Sequence, residues 1–345
     1  MRSALAAALA AALVSGAPAP AAKGQADAPG PRVVRHGKIA IWTIHYRSHT
    51  GARRAAYVVL PRWYGPRAHP RIPLVISPHG RGVSGRANAF LWRGLPAVGN
   101  FAVVSPEGQG RKLERYSWGA EGQVADLARM PQIVRAALPW VKIDARRVYA
   151  FGGSMGGQET LLLLARHPRL LAGAAAFDAV SDFRLQYRQF PRLRCDGACR
   201  KQWVGPMGKS LQSLARIEIG GPPNEYPGRW ARRSPYTYRR ELARSCVPLQ
   251  LWWSPADRVV IDQEKQSGRL FWELRALNPT APIEAFVGFW IHSHEMNANT
   301  RLPLALARFG LLPERFQQSI IGLHVVRPPS GPCGRTIPVQ PGVAR

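Results

Sequence analysis

Short apolar runs alternate along the chain with longer stretches that have the pattern of helices. The apolar runs, bounded by Gly and Pro, predict strands at 38–47, 55–60, 73–77, 101–105, 147–151, 171–177, 249–253 and 283–287. The intervening stretches predict helices at 84–98, 121–138, 156–167, 263–277 and 301–309. The first two strands are expected to be antiparallel. Strands that are then separated by helices predict an α/β fold with a mostly parallel central sheet and helices on both faces.

Residues 183–245 break this alternation. They contain Arg clusters, two Cys and many Pro and Gly residues, and they predict an insertion over one end of the sheet. The insertion is either a lid over the active site or a surface excursion. The main domain is expected to span 37–312, after a Gly/Pro/Ala-rich linker at 23–36. A C-terminal extension at 313–345 is expected to be extended.

The N-terminus has the layout of a secretory signal peptide over residues 1–22. Arg2 provides the positive start, Leu5 to Val14 form a ten-residue apolar stretch, and small residues with Pro follow. The apolar stretch is about half the roughly 20 residues that a membrane-spanning helix needs. We therefore expect a protein that is secreted or held in the cell envelope after cleavage.

The composition excludes a disordered chain and disfavours a nucleic-acid-binding one. Only 20% of the 345 residues are charged, which is typical of a globular protein. The 48 basic and 20 acidic residues give a net charge of +28, but the Arg residues are scattered and no nucleic-acid-binding motif is present. The charge allows a loose association with an anionic cell-envelope polymer.

Four cysteines fit an exported protein, in which an even number predicts disulfides. Three connectivities are possible, and we favour Cys195–Cys199 as a local loop closure and Cys246–Cys333 as a link from the tail to the body. A zinc site is the alternative, but Cys195 and Cys199 lack a nearby second pair of ligands.

The strongest chemical signal is a Gly-x-Ser-x-Gly motif formed by Gly152, Ser154 and Gly156. It lies between a predicted strand and a predicted helix, where a sharp turn projects a serine hydroxyl from the sheet. The two glycines relieve crowding where the helix crosses the strand. Ser154 is therefore the candidate nucleophile.

A serine nucleophile needs a base and an acid that orients the base, and both follow Ser154 in the expected order. Asp257 lies four residues after the predicted strand 249–253 and is the candidate acid. Asp178 and Asp182 are second-choice acids, whereas Asp262 has the position of a helix cap.

The candidate base is His292, which follows the predicted strand 283–287. His294 is the alternative base, two residues further on. We prefer His292 because it is nearer the strand end and because Ser293 is expected to begin the next helix, which would leave His294 at the start of that helix.

An oxyanion hole requires backbone N–H groups directed at the carbonyl oxygen of the substrate. We predict that Met155, the residue after the nucleophile, provides one donor. The loop Ser77 to Gly82 contains His-Gly-x-Gly, like the HGGG-type loop of esterases, and predicts Arg81 as the second donor, with Gly82 as the alternative. His79 is expected to brace this loop.

Aromatic residues and one loop are candidates for the substrate pocket. Segment 107–118 follows a predicted strand at the catalytic end of the sheet. At least one of Trp252 and Trp253 is expected to be buried. The tryptophans that offer aromatic surface are Trp118, Trp203, Trp230, Trp252, Trp253 and Trp290.

The segments SPHGRG, DARRVYAFGGSMGG, WWSPADRVV and FWIHSHEM together resemble those of the α/β-hydrolase superfamily. The chain is most similar to secreted esterases, polyhydroxybutyrate-depolymerase-like enzymes and prolyl-oligopeptidase-like (S9) catalytic domains. The resemblance covers about residues 38–312. It departs at HSHEM, which lacks the Gly that is commonly found next to the base.

The resemblance implies a serine hydrolase that cleaves a small or polymeric carboxylic ester through an acyl-enzyme and uses neither a metal nor an organic cofactor. An S9-like peptidase is the first alternative, but such peptidases usually carry a β-propeller, for which we expect no room here. Two further hypotheses are an acyltransferase and a non-catalytic protein that binds polyanions on a hydrolase scaffold.

Overall fold

The computed structural model describes residues 30–108, 110–194, 197, 206–318, 320–329 and 331–333. The predicted signal peptide, the first part of the predicted linker and the Cys195–Cys199 pair lie outside these residues. Within the described ranges, no helix is long and apolar enough to cross a membrane.

Ten strands of the described chain form one sheet in the order β1-β2-β3-β5-β4-β6-β7-β8-β9-β10. The six strands from β5 to β9 in this order are parallel, whereas β1, β2, β3 and β10 pair in antiparallel fashion. The strands are β1 Arg32–His36, β2 Ile39–Arg47, β3 Arg53–Pro61, β4 Ile72–Ile76, β5 Ala102–Pro106, β6 Ile143–Gly153, β7 Gly173–Phe177, β8 Leu249–Trp253, β9 Ile283–Val287 and β10 His324–Val326.

Ten α-helices connect or flank these strands within the described residues. They are α1 Gly85–Leu91, α2 Leu95–Gly99, α3 Glu121–Ala137, α4 Met155–Arg166, α5 Phe183–Gln189, α6 Gly208–Ile219, α7 Pro227–Ala231, α8 Arg239–Arg244, α9 Ser267–Leu277 and α10 Leu302–Arg308.

The sheet has a hydrophobic core on each face because successive strand residues point to opposite sides. On β4, Leu74 and Ile76 belong to the cluster that contains residues of α3, α4 and α9, whereas Val75 belongs to the cluster that contains residues of α1, α2 and α10. This arrangement confirms the predicted mostly parallel sheet with helices on both faces. The carboxyl ends of its parallel strands therefore meet at one edge.

Two sequence-based expectations for secondary structure are wrong, the linker and the single helix at 84–98. The predicted linker contains β1, an edge strand whose residues are mostly exposed, so that backbone pairing rather than a buried apolar pattern defines it. The C-terminal extension, expected to be extended, contains β10, another short edge strand. The single helix predicted at 84–98 is two helices, because Arg93 adopts φ 46° and Gly94 and Pro96 follow.

The described part of the insertion at 183–245 consists of short helices around a third hydrophobic cluster, which includes Phe183, Phe190 and Trp230. Glu218, at the end of α6, is completely buried and fastens this insertion to the body. Its carboxylate accepts hydrogen bonds from the backbone N–H groups of Arg111, Lys112 and Leu113, the latter two at 2.9 and 3.0 Å.

Arg233 completes this attachment. Its guanidinium donates to Ser117 O at 2.6 Å and pairs with Glu218 at 3.5 Å. The insertion thus holds the loop after β5 by buried polar contacts rather than by apolar packing alone.

The tail is covalently linked to the body by the predicted disulfide between Cys246 and Cys333, whose Cα atoms are 5.7 Å apart. The bridge closes a long loop, with a sequence separation of 87 residues. In the loop-entropy account, a closure of this length contributes about 4.6 kcal/mol to stability.

Candidate active site

Ser154 occupies the turn between β6 and α4 with strained backbone angles, φ 58° and ψ −125°. Its N–H donates to Phe177 O at 2.8 Å, which ties the turn to the end of β7. A positive φ is uncommon for a residue other than glycine and often marks a functional site. The predicted strand–turn–helix context of the candidate nucleophile is therefore present.

The glycines on either side of Ser154 are required by close backbone contacts. A Cβ atom at Gly152 would lie 2.3 Å from Gly156 O, and one at Gly156 would lie 2.4 Å from Pro78 O. Any side chain at either position would collide with backbone that cannot move aside. The predicted reason for both glycines agrees with these distances.

Asp257 and His292 form a buried pair at the same edge of the sheet. His292 Nδ1 lies 2.7 Å from Asp257 Oδ2, and both side chains are completely buried. The other Asp257 oxygen accepts from the backbone N–H groups of Val259 and Val260 at 2.7 and 3.0 Å. These contacts fix the carboxylate in the orientation that a triad acid needs.

His294 does not share this environment. Its side chain is 49% exposed, and its Nδ1 lies 3.7 Å from Glu295. The structure thus brings His292, and not His294, to Asp257. Ser293 does not begin a helix as expected, because it adopts φ 51° and the next helix begins only at Leu302.

Ser154 and His292 line the same cavity, which has a volume of about 400 Å³. Ser293 also approaches the turn, since a Cβ atom at Gly153 would lie 3.1 Å from Ser293 Oγ. The cavity is lined by Gly80, Val83, Asn88, Leu91, Gly153, Ser154, His292, Ser293, His294, Met296 and Asn297.

The two candidate donors on the loop after β4 are not equivalent. The N–H of Gly82 donates to Arg115 O at 3.0 Å, so this alternative donor is already engaged. Arg81 stays the predicted donor, together with Met155, which is the first residue of α4 and therefore has no acceptor within its helix.

His79 has a bracing geometry, as expected for this loop. Its Nε2 accepts from the N–H of Gly108 at 2.7 Å, so Nδ1 carries the proton and donates to Gly80 O, also at 2.7 Å. Burial lowers the pKa of His79 and favours this neutral ring.

The predicted aromatic pocket wall is wrong for the five tryptophans that the structure describes. Trp118, Trp230, Trp252, Trp253 and Trp290 are each at most 8% exposed, and they pack in the hydrophobic clusters. Trp203 lies outside the described residues. No described residue of segment 107–118 lines the cavity at Ser154. The end of this loop instead contacts the Met155 side chain, through Ser117 Oγ and the N–H of Trp118.

A second carboxylate, Asp178, lies beside the Asp257–His292 pair. Potential ligand atoms of these three residues are all within 4.8 Å of one another. All four carboxylate oxygens accept N–H donors, so we assign the group to hydrogen bonding and not to metal binding. Burial and the nearby Asp257 raise the pKa of Asp178 to about 7.

The sequence marks Asp178 only as a second-choice acid, although its place directly after β7 is a signal for this edge of the sheet. No sequence motif points to Glu159. This residue lies in α4 among apolar residues, and its buried carboxylate accepts from Ser117 Oγ. Burial raises the pKa of Glu159 to about 7.

The raised pKa of Glu159 predicts a pH-dependent loss of stability. The folded protein holds a proton that the unfolded chain releases above its ordinary pKa of 4.5, so the free energy of unfolding falls as the pH rises from about 4.5 to about 7. Glu159→Gln should remove this contribution, about 3 kcal/mol across the window.

Urea unfolding at several pH values would measure this effect. The exposed Glu114→Gln is the matched control and should retain the wild-type pH dependence. If the stability curves of Glu159→Gln and the wild type ran parallel over the window, Glu159 would not be protonated in the folded protein.

Comparisons with known proteins agree with this fold. Residues 104–203, which include Ser154, match the prolyl oligopeptidase family. No curated protein matches the sequence.

Three solved structures illustrate the likeness in fold. Dipeptidyl peptidase 4 of Porphyromonas gingivalis is 19% identical with a TM-score of 0.53, and the match covers 78% of this chain and 34% of that one. A puromycin-hydrolyzing peptidase of Mycobacterium tuberculosis is 20% identical with a TM-score of 0.55, and the match covers 78% and 39%. The fluorophosphonate-binding serine hydrolase F of Staphylococcus aureus is 14% identical with a TM-score of 0.53, and the match covers 79% and 99%.

The match thus spans only about a third to two fifths of the two peptidases. The sheet order, the strained serine turn and the structural neighbours agree in fold. The chain has the α/β-hydrolase fold.

Proposed function

We propose that the chain hydrolyses carboxylic esters with Ser154 as nucleophile, His292 as base and Asp257 as the acid that orients the base. The observation that carries the proposal is the buried His292–Asp257 pair at 2.7 Å, whose imidazole lines one cavity with the strained Ser154. A hydroxyl is activated for acyl transfer by such an arrangement.

The reaction proceeds in two acyl-transfer steps. Ser154 Oγ attacks the ester carbonyl while His292 Nε2 takes its proton, and the imidazolium returns that proton to the leaving alkoxide. Water, deprotonated by the same imidazole, then attacks the acyl-enzyme and releases the acid and Ser154. Asp257 accepts from Nδ1–H throughout, which holds the required tautomer and stabilises the imidazolium.

The negative charge that develops on the carbonyl oxygen requires donors at the nucleophile turn. We assign the N–H groups of Met155 and Arg81 to this role. Met155 is supported by its place at the N-terminus of α4, where backbone N–H groups lie outside the helical hydrogen-bond pattern. Arg81 is supported over Gly82 because the N–H of Gly82 is bonded to Arg115 O.

The composition of the cavity supports an uncharged substrate group. Its apolar part is formed by Val83, Leu91 and Met296, and the described lining contains no Lys, Arg, Asp or Glu. Burying a charge without a partner is costly, so we expect neutral aliphatic acyl groups to be preferred over charged ones.

An S9-like peptidase activity is the second candidate. It is favoured by the match of residues 104–203 to the prolyl oligopeptidase family. The same nucleophile and base would serve an amide substrate, so the two candidates differ in the leaving group and not in the triad.

A fluorophosphonate probe followed by substrate assays tests the proposed function. We expect the probe to label the wild type and not Ser154→Ala, because only the activated hydroxyl attacks phosphorus. Labelling of neither protein would contradict a serine hydrolase mechanism. Turnover of p-nitrophenyl esters without turnover of peptide p-nitroanilides is expected, and the opposite preference would establish the peptidase.

The two histidines provide a matched pair of variants. His292→Ala should lower kcat for a p-nitrophenyl ester by about 10³-fold or more, because triad members act as a unit. His294→Ala removes an exposed imidazole and should change kcat by less than about tenfold. Initial-rate kinetics would measure both, and a larger loss in His294→Ala would assign the base to His294.

We also propose that the protein acts outside the cytoplasm. The signal-peptide pattern of residues 1–22 and the cysteine content support export, and the net charge of +28 supports a loose association with anionic envelope polymer. N-terminal sequencing of protein recovered from the culture medium and the envelope should show cleavage near residue 22; intact protein confined to the cytoplasm would contradict this.

A further inference from the structure

Asp178 lies at the end of β7, where no solvent reaches it, and its backbone is strained with φ 45°. Its N–H donates to Trp252 O on β8 at 2.7 Å. Its carboxylate Oδ1 accepts from the N–H of Ser254 at 3.0 Å. Oδ2 accepts from Trp290 Nε1 at 2.7 Å and from the N–H of Ser293 at 2.6 Å.

These three donors belong to the two loops that carry the acid and the base. Ser254 is the first residue after β8, in the loop that leads to Asp257. Trp290 and Ser293 flank His292 in the loop after β9. Ser254 Oγ also accepts from the N–H of Trp290 at 3.0 Å, which joins the two loops directly.

Asp178 is not the orienting acid of the triad. Asp257 is the residue bonded to His292 Nδ1, whereas both Asp178 oxygens accept from the loops around that pair. Asp178 therefore acts on the imidazole through the backbone that presents it.

We propose that Asp178 is a positioning residue that holds the loops of Asp257 and His292 in register, so that the imidazole is aligned between the acid and Ser154. The inference rests on the proposed function for its kinetic consequence. Its structural part, the alignment of the His292–Asp257 pair, can be tested whether or not the protein hydrolyses esters.

A carboxylate suits this position because all three neighbours are N–H donors. An ionised carboxylate is purely an acceptor and can satisfy donors on both oxygens. Asn at the same position would direct its NH₂ group at one or two of these donors and leave them without an acceptor in a buried site. Asp178→Asn is therefore nearly isosteric but should disturb one of the two loops.

The kinetic test compares Asp178→Asn with Asp182→Asn. We expect Asp178→Asn to lower kcat by about 10- to 100-fold with KM changed by less than about threefold, because misplaced catalytic groups slow the chemical step. Asp182 is four residues away and caps α5 by accepting from the N–H groups of Arg184 and Leu185. Asn is an equally good cap, so Asp182→Asn should keep wild-type kinetics.

A second readout reports on the imidazole without turnover. The Nδ1 proton of His292, bonded to Asp257, should give a downfield proton NMR resonance that is assigned by its loss in His292→Ala. We expect this resonance to shift or broaden in Asp178→Asn and to stay unchanged in Asp182→Asn. An unchanged resonance in a folded Asp178→Asn protein, whatever its kcat, would overturn the proposal.

A failure of the proposed hydrolase function can be told apart from a failure of the proposed positioning role of Asp178. A wild type that lacks hydrolase activity but whose resonance changes in Asp178→Asn would refute the proposed function and support the positioning role. If Asp178→Asn does not fold, Trp290→Phe removes one donor and keeps an aromatic ring. That variant should shift the same resonance and lower kcat by a smaller factor, and the absence of both effects would overturn the proposal.

Discussion

At the turn from β6 to α4, the backbone passes closer to its neighbours than side chains would allow. Carbonyl oxygens of Gly156 and Pro78 occupy the space that Cβ atoms at Gly152 and Gly156 would need. This crowding constrains the chain to turn sharply at Ser154 with a positive φ. It also places the loop after β4 against the start of α4. The contact between Pro78 and Gly156 therefore fixes the position of Ser154 relative to its candidate oxyanion donors.

Buried carboxylates organise the loops around this turn. A buried charge is tolerated only when several donors satisfy it, and Asp178, Asp257 and Glu218 each accept from at least two backbone N–H groups. Each carboxylate therefore helps to determine the shape of a loop. Asp257 shapes its own loop after β8, and Asp178 shapes the loops after β8 and β9. Glu218 shapes the loop after β5. Glu159 accepts mainly from side chains and does not hold a loop in this way. Burial raises the pKa of both Glu159 and Asp178 to about 7, so in neither case do the donors fully compensate burial.

The insertion uses its aromatic residues for its own core. Trp230 packs with Phe183, and Trp118 from the body stacks on the same ring. These rings are consequently absent from the described wall of the cavity, in which Val83, Leu91 and Met296 supply the apolar part. The buried Glu218–Arg233 attachment fixes this part of the insertion to the loop after β5.

The sequence by itself was sufficient for the nucleophile turn, because Gly152, Ser154 and Gly156 encode a local geometry that depends on residues close together in the chain. It also predicted the parallel sheet, since buried strands leave continuous apolar runs. It could not reveal β1 and β10, because edge strands are defined by backbone pairing and bury few side chains. Only the tertiary structure decided that His292 pairs with Asp257, that the N–H of Gly82 is bonded to Arg115 O, and that Asp178 holds the neighbouring loops. Each of these contacts depends on how separate loops meet at the edge of the sheet. Neighbouring positions in one loop differ in which of them faces the other loop, and the spacing along the chain does not determine this.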